Sequence, residues 1–285
     1  MTDEKKFTGW KRTYIGLLNV ATVISIILGC IIHIGGFIGG DIVKSLFGTG
    51  RNADAEGSAT DFEEAVGAFE DMEGELAMGS LIIRYGDDYT VSYRNYPENE
   101  VPTWKVSGGT LKIEQKTKKK WKPGSLKSGY SGAEVVITIP ENTKMDIDFL
   151  QMNMGMLTIE KGMIFGDLHL AANMGSIELA KCKAEELDLD AAMGSITIED
   201  GTFEKAKINA SMGSITLKDV TFEDADLNAD MGSIEVSGTF NELEATCGMG
   251  GIDVANRNKD ARLDLKADMG GVSYNGKAVG KSYKR

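Results

Sequence analysis

A Met-Gly pair returns at a nearly fixed interval through the second half of the chain. It stands at Met154, Met174, Met193, Met212, Met231, Met249 and Met269, with steps of 20, 19, 19, 19, 18 and 20 residues. The sharpest copies read Asn173-Met-Gly-Ser-Ile-Glu-Leu179, Ala192-Met-Gly-Ser-Ile-Thr-Ile198, Ser211-Met-Gly-Ser-Ile-Thr-Leu217 and Asp230-Met-Gly-Ser-Ile-Glu-Val236. A constant period of about 20 residues is the mark of a solenoid, in which one repeat cannot bury its own apolar face and neighbouring repeats bury it for each other.

The local pattern selects strands. In the repeat from Phe222, Ala225, Leu227 and Ala229 alternate with Asp224, Asp226, Asn228 and Asp230. After Gly232 the alternation resumes with Ile234 and Val236. Spacing of two is strand periodicity, and the glycine content opposes helical repeats. An antiparallel meander gives the same alternation but no reason for equivalent residues to return every 19 positions. Each repeat is therefore read as two short strands joined at a Met-Gly corner, with Phe203, Phe222 or Phe240 as an apolar plug at the second corner. Glycine at the corners (Gly155, Gly175, Gly194, Gly213, Gly232, Gly250 and Gly270) suits a repeated sharp bend. The Met column is expected in the core, because unbranched Met fills irregular gaps. Soft-metal binding by its thioethers is the functional alternative. At about 4.8 Å per coil, six intervals give a rod roughly 30 Å long.

The run Val135-Val-Ile-Thr-Ile-Pro140, then Met145-Asp-Ile-Asp-Phe149, then the Gly-Ser-Ile units, resembles the bacterial "putative adhesin" family, a β-strand-repeat domain of unknown function. Gly109-Thr-Leu-Lys-Ile-Glu-Gln115 fits the segment upstream. The resemblance covers Glu75 to the end. It implies a β-solenoid, often tethered to the membrane of the bacterial cell envelope, and brings no catalytic residues with it.

The N-terminal part reads differently. Residues 1–13 form a short polar tail, and residues 14–40 carry no charge. The run Ile15 to Ile34 is long enough to cross a bilayer as one helix, since about 20 residues suffice. Trp10 and Tyr14 stand where interfacial anchors stand. A cleaved signal peptide would have a shorter apolar core and a small-residue cleavage site, and neither is found here. Lys5, Lys6, Lys11 and Arg12 precede the span, which favours an N-terminus inside and the C-terminal domain outside, at the cell membrane. Asn19 and His33 fall in the span near its two interfaces. Residues 41–74 read as a Gly-rich linker followed by a short acidic amphipathic helix, Thr60 to Leu76, with Phe62, Val66, Phe69 and Met72 on one face. That helix is expected to cap the open end of the solenoid, which would otherwise expose strand edges. Residues 75–285 are taken as the solenoid, with Ala77-Met-Gly-Ser-Leu81 as an early copy of the corner.

Charge narrows the partners. The net charge is −12; the tail has two acidic against four basic residues, so the part after Gly40 carries −14. Such a surface opposes nucleic-acid binding, which needs basic clusters. One loop runs the other way, Lys116-Thr-Lys-Lys-Lys-Trp-Lys-Pro-Gly-Ser-Leu-Lys127. Lys116, Lys118, Lys119, Lys120, Trp121 and Lys122 make it the candidate contact with anionic headgroups or an envelope polymer. The bland reading is a solvated hairpin loop whose lysines blunt an edge.

No catalytic, cofactor or metal site emerges. His169 is the single histidine outside the span, which leaves no His-based nucleophile or multi-His metal site. Calcium-binding solenoids use a Gly-Gly-x-Gly-x-Asp repeat that is missing here. Cys182 and Cys247 fall about three coils apart, roughly 14 Å, too far for a disulfide. No CxxC motif is present. The sequence thus points to a non-enzymatic envelope protein that anchors a β-solenoid for binding, adhesion or envelope sensing. Two alternatives stand beside it. One is a cytoplasmic polymer-forming solenoid scaffold. The other is a polysaccharide-acting β-helix enzyme.

Overall fold

A computed structural model describes residues 59–115 and 132–285. Those residues form a single 19-stranded sheet wound into a β-solenoid. The first strands are β1 (Ala59–Ala65), β2 (Asp71–Leu76), β3 (Gly79–Gly86), β4 (Thr90–Pro97), β5 (Thr103–Ser107), β6 (Thr110–Glu114) and β7 (Glu134–Pro140). The regular coils follow as β8 (Lys144–Ile159), β9 (Ile164–Ala180), β10 (Lys183–Met193), β11 (Ile196–Glu199), β12 (Thr202–Met212), β13 (Ile215–Met231), β14 (Ile234–Met249), β15 (Ile252–Asn256) and β16 (Arg262–Met269). The chain closes with β17 (Val272–Tyr274), β18 (Lys277–Gly280) and β19 (Ser282–Lys284).

Stacking is parallel and in register. Leu170, Leu189, Ile208, Leu227, Ala245 and Leu265 lie over one another, as do Ile177, Ile196, Ile215, Ile234, Ile252 and Val272. All are buried. Removing each Leu or Ile side chain from water contributes about 1.5–3 kcal/mol. A one-residue slip would turn a whole coil inside out. Phe203, Phe222 and Phe240 stack at the second corner with centroids 5.8 and 6.3 Å apart.

The Met-Gly corner is set by backbone crowding. A Cβ added at Gly175, Gly194, Gly213, Gly232, Gly250 or Gly270 would lie 1.5–1.7 Å from the carbonyl oxygen of the preceding corner glycine. Gly79 starts this column. It pairs with Gly155, whose Cβ would meet the Gly79 oxygen at 1.6 Å. The second corner bends through left-handed residues that are not glycine, Lys181, Asp200 and Asp219, with φ of 50–56°.

The region expected to be an acidic helix is β1 and β2. β2 lies between β6 and β8 in parallel ladders, so Met72 and Leu76 join the stacked core. Only glycine fits at position 74, because Ile113 packs where a side chain would be, with the Ile113 oxygen 2.2 Å from the place a Cβ would take. A helix would forfeit these ladder bonds and would carry Gly67 and Gly74 in its interior, each costing about 1 kcal/mol relative to Ala. Capping falls to antiparallel strands instead. β4 covers the edge of β7, β1 covers β4, and β5 covers β6. At the other end β18 and β19 cover β17 and β16.

Replacing Gly213 or Gly232 by Ala is expected to cost more than about 3 kcal/mol, the range of severe backbone strain. Gly67→Ala, whose Cβ would meet nothing nearer than 3.9 Å, is expected to cost less than about 1 kcal/mol. Urea unfolding of the three variants checks the difference, and equal shifts would contradict the corner model.

Candidate functional site

With the core inward and both ends covered, the accessible surfaces are the long sides of the rod. Three positions on these sides have distinct chemistry.

The first is the Met column. The sequence placed these residues in the core as unbranched gap-fillers, and counting by twos from Leu187, Leu189 and Ala191 would also put Met193 inside. The structure overturns that expectation. Strands β10, β12, β13, β14 and β16 end at their Met, and the chain turns there, so the alternation breaks and the side chain faces out. Met174, Met193, Met212, Met231 and Met249 are 41–44% exposed and Met269 is 62% exposed. The residue two before each, Ala172, Ala191, Ala210, Ala229, Cys247 or Ala267, fills the inner corner. Gap-filling falls to other methionines, Met72, Met145, Met152 and Met163, all buried.

The second is a shallow groove of about 290 Å³ lined by His169, Glu186, Asp188, Lys205, Lys207 and Asp226 among others. Its charges stack between coils. Lys205 bonds Glu186 at 3.1 Å, and Lys207 stands in register between Asp188 and Asp226. The pair Lys205–Glu186 is exposed, and such pairs contribute little to stability. The His169 Nδ1 lies 3.0 Å from the Asp148 carbonyl, so it donates there. One oxygen of Asp188 is buried without a hydrogen-bond partner. No nucleophile is paired with a base in this groove, and among the described residues no group of three His, Cys, Asp or Glu converges on a metal position.

The third is a groove of about 320 Å³ near β2 and β6, lined by Glu73, Glu75, Lys112, Glu114, Gln115 and the exposed Phe149. Gln115 is buried and fixes the first corner. Its Oε1 accepts from the Ala77 and Met78 amides at 3.0 and 2.9 Å, and its Nε2 donates to the Glu100 carbonyl at 2.9 Å.

The predicted basic loop, with Lys116, Lys118, Lys119, Lys120, Trp121 and Lys122, lies outside the described residues, as does the predicted membrane span over 14–40. Among the described residues no helix is long and apolar enough to cross a membrane. The corner glycines fall in one column, and they are structural. Sequence reasoning missed the outward turn of the methionines; the signal was the polar or small residue before each Met, which makes two consecutive outward positions.

The thiols are inert by placement. Burial pushes the Cys182 thiol up to about 12. Burial, and then the nearby Asp268 carboxylate, raise that of Cys247, whose Sγ donates to the Gly232 carbonyl at 3.3 Å. Both are unpaired. In the full chain carrying Cys30→Ser, neither is expected to react with a thiol reagent at mildly alkaline pH until the protein is unfolded. Labelling of native Cys247, followed by mass spectrometry, would show that the corner opens.

A protein from Bacteroides fragilis designated a "putative adhesin" shares the fold with a TM-score of 0.58 at 16% identity, over 76% of this chain and 97% of its own. A "putative adhesin" from Parabacteroides distasonis aligns at 16% identity over 77% and 97%, with a TM-score of 0.49. Among curated proteins none matches the chain. The family model described as Toastrack DUF4097 matches residues 80–284, from the start of β3 through β19. The chain therefore belongs to the Toastrack DUF4097 family, a β-solenoid domain of unknown function.

Proposed function

We propose that this is a non-enzymatic, membrane-anchored cell-envelope protein whose solenoid presents its long sides for binding, in adhesion or in sensing the state of the envelope. The observation that carries this reading is the closed rod. The stacked coils bury the Leu, Ile and Phe columns, antiparallel strands flank both ends of the parallel stack, and what is left to meet a partner is the regular sides with their charged residues and the exposed methionines. The grooves on those sides are shallow and hold no paired nucleophile and base. The name "putative adhesin" carried by the similar Bacteroides fragilis protein is the reason adhesion is specified. The antiparallel strands at both ends weigh against the scaffold alternative, because they break off the parallel stack that an end-to-end polymer would continue and carry charged and aromatic side chains at its edge.

In this proposal residues 14–40 hold the protein in the cell membrane with its N-terminus inside, and the solenoid lies outside. Protease added to intact cells is then expected to remove the C-terminal domain, with lysed cells as the control. Protection in intact cells and digestion after lysis would reverse the topology and return the scaffold reading.

The basic loop is proposed as a contact with anionic headgroups or an anionic polymer of the envelope, each Lys near such a surface contributing roughly 1 kcal/mol. Deleting residues 118–122 is expected to weaken binding of the full chain to anionic vesicles and to leave binding to neutral ones unchanged. Equal binding of both proteins to anionic vesicles in a flotation assay would leave the loop as a solvated connection.

A further inference from the structure

The exposed methionine column forms a ladder. The half-buried Met154 and the exposed Met174, Met193, Met212, Met231, Met249 and Met269 pair in register from coil to coil without a break, and the register sets the half-buried Met78 beside Met154. With Met78, eight of the 14 methionines of the chain stand in this one line. The fold does not ask for Met there. The backbone groups at these positions are bonded in the ordinary way; Gly194 and Gly213, for example, donate to the Met212 and Met231 carbonyls at 2.9 Å. The side chains are outside the core, and any residue that tolerates an extended strand end would serve.

The neighbouring outward column shows what such positions accept. One residue before each Met stand Asn153, Asn173, Ala192, Ser211, Asp230, Gly248 and Asp268. That column drifts through five residue types, while the Met column holds one.

A line of exposed thioethers has one chemistry that other apolar side chains lack. Thioether sulfur is a soft, uncharged ligand that selects soft cations such as Cu(I). Strand spacing supplies the geometry. Adjacent rungs of a parallel ladder are about 4.8 Å apart, and two metal–sulfur bonds of about 2.3 Å placed in line span about 4.6 Å. Two neighbouring rungs therefore reach one ion without bending the backbone. Met is unbranched and flexible, which allows the final adjustment. The acidic rod raises the local concentration of cations.

We propose that the methionine ladder is a binding site for soft monovalent metal ions, Cu(I) in chemical class, each ion held between the thioether sulfurs of two adjacent rungs. This goes beyond the envelope-binding reading and does not rest on it. With Met78 the ladder has eight rungs, which make at most four such pairs at once.

Ag(I) is the probe, because it has the same softness and charge and does not change oxidation state under these conditions. Two variants of the full chain in detergent carry the test. Met78→Leu, Met174→Leu, Met212→Leu and Met249→Leu together leave four ladder thioethers, each about 9.6 Å from the next, too far to share an ion. Met78→Leu, Met231→Leu, Met249→Leu and Met269→Leu together also leave four, all adjacent. Both keep the same cysteines and the same apolar volume to within a small change, and matched melting curves establish that both are folded. Calorimetric titration in chloride-free buffer and the methyl resonances of labelled Met are the readouts.

The contiguous variant is expected to keep one or two Ag(I) sites with perturbed Met methyls. The alternating variant is expected to bind at least about tenfold more weakly, because the second sulfur no longer acts at high effective concentration. Equal binding by the two variants, or wild-type binding no tighter than that of the alternating variant, would overturn the proposal. So would equal perturbation of the ladder methyls by Zn(II), a harder ion.

Discussion

Everything in this rod depends on how closely the backbone passes itself at the Met-Gly corner. Each corner glycine stands where a Cβ would be 1.5–1.7 Å from the carbonyl oxygen of the glycine one coil earlier. That approach aligns the coils, since only one register lets glycine face glycine. With register fixed, Leu meets Leu and Ile meets Ile along the inside, and the hydrophobic contribution adds up coil by coil. The same alignment carries outward, so that side chains on the surface also fall into columns. Core, charge pattern and methionine ladder are all consequences of one repeated steric exclusion.

The ends follow from the same stacking. A parallel ladder always leaves two unpaired edges, which invite association. This chain covers them by reversing direction. At the N-terminal end β6 and β7 form the outermost coil, and β4 and β5 run back across them. Phe62, Tyr93 and Trp104 pack together over that reversal, with centroids 5.8–6.1 Å apart. At the C-terminal end Lys284 of β19 reaches Asp264 of β16 at 2.5 Å, and Tyr283 stacks on Tyr274. Charged and aromatic side chains on the last strands make poor templates for another copy.

The sequence disclosed the repeat, the strands and the corner, because each of these is written in a period that a reader can count. It concealed what interrupts the period. Thr60 to Leu76 shows apolar residues at helical spacing, yet Met72 faces the core of a sheet in which its partners are the distant Leu111 and Ile147, and Leu76 pairs with Met152. Long-range pairing overrides local propensity there, and Gly67 and Gly74 were the local signs against a helix. The methionines misled in the opposite way. Alternation from Leu187 through Ala191 points Met193 inward, but Ala192 and Met193 both face out where the chain bends into Gly194, and the same break falls at Met174 inside the continuous β9.

The inside and the outside of such a coil answer to different demands. An inner position must fill a fixed volume, and the structure shows variation within it: Leu, Ile and Ala follow one another in a single core column. An outer position answers to solvent and to its neighbours above and below. The column of His169, Asp188, Lys207, Asp226, Glu244 and Asp264 varies as solvent-facing positions do, with Lys207 set between acids and the like charges of Asp226, Glu244 and Asp264 flanked by Lys207 on one side and Lys284 on the other. Like charges on adjacent strands are unfavourable, so nothing in that column requires constancy. The Met column is less variable than the core itself, although the core is where packing selects most narrowly. Packing does not account for that order, and the chemistry of adjacent sulfurs at strand spacing does.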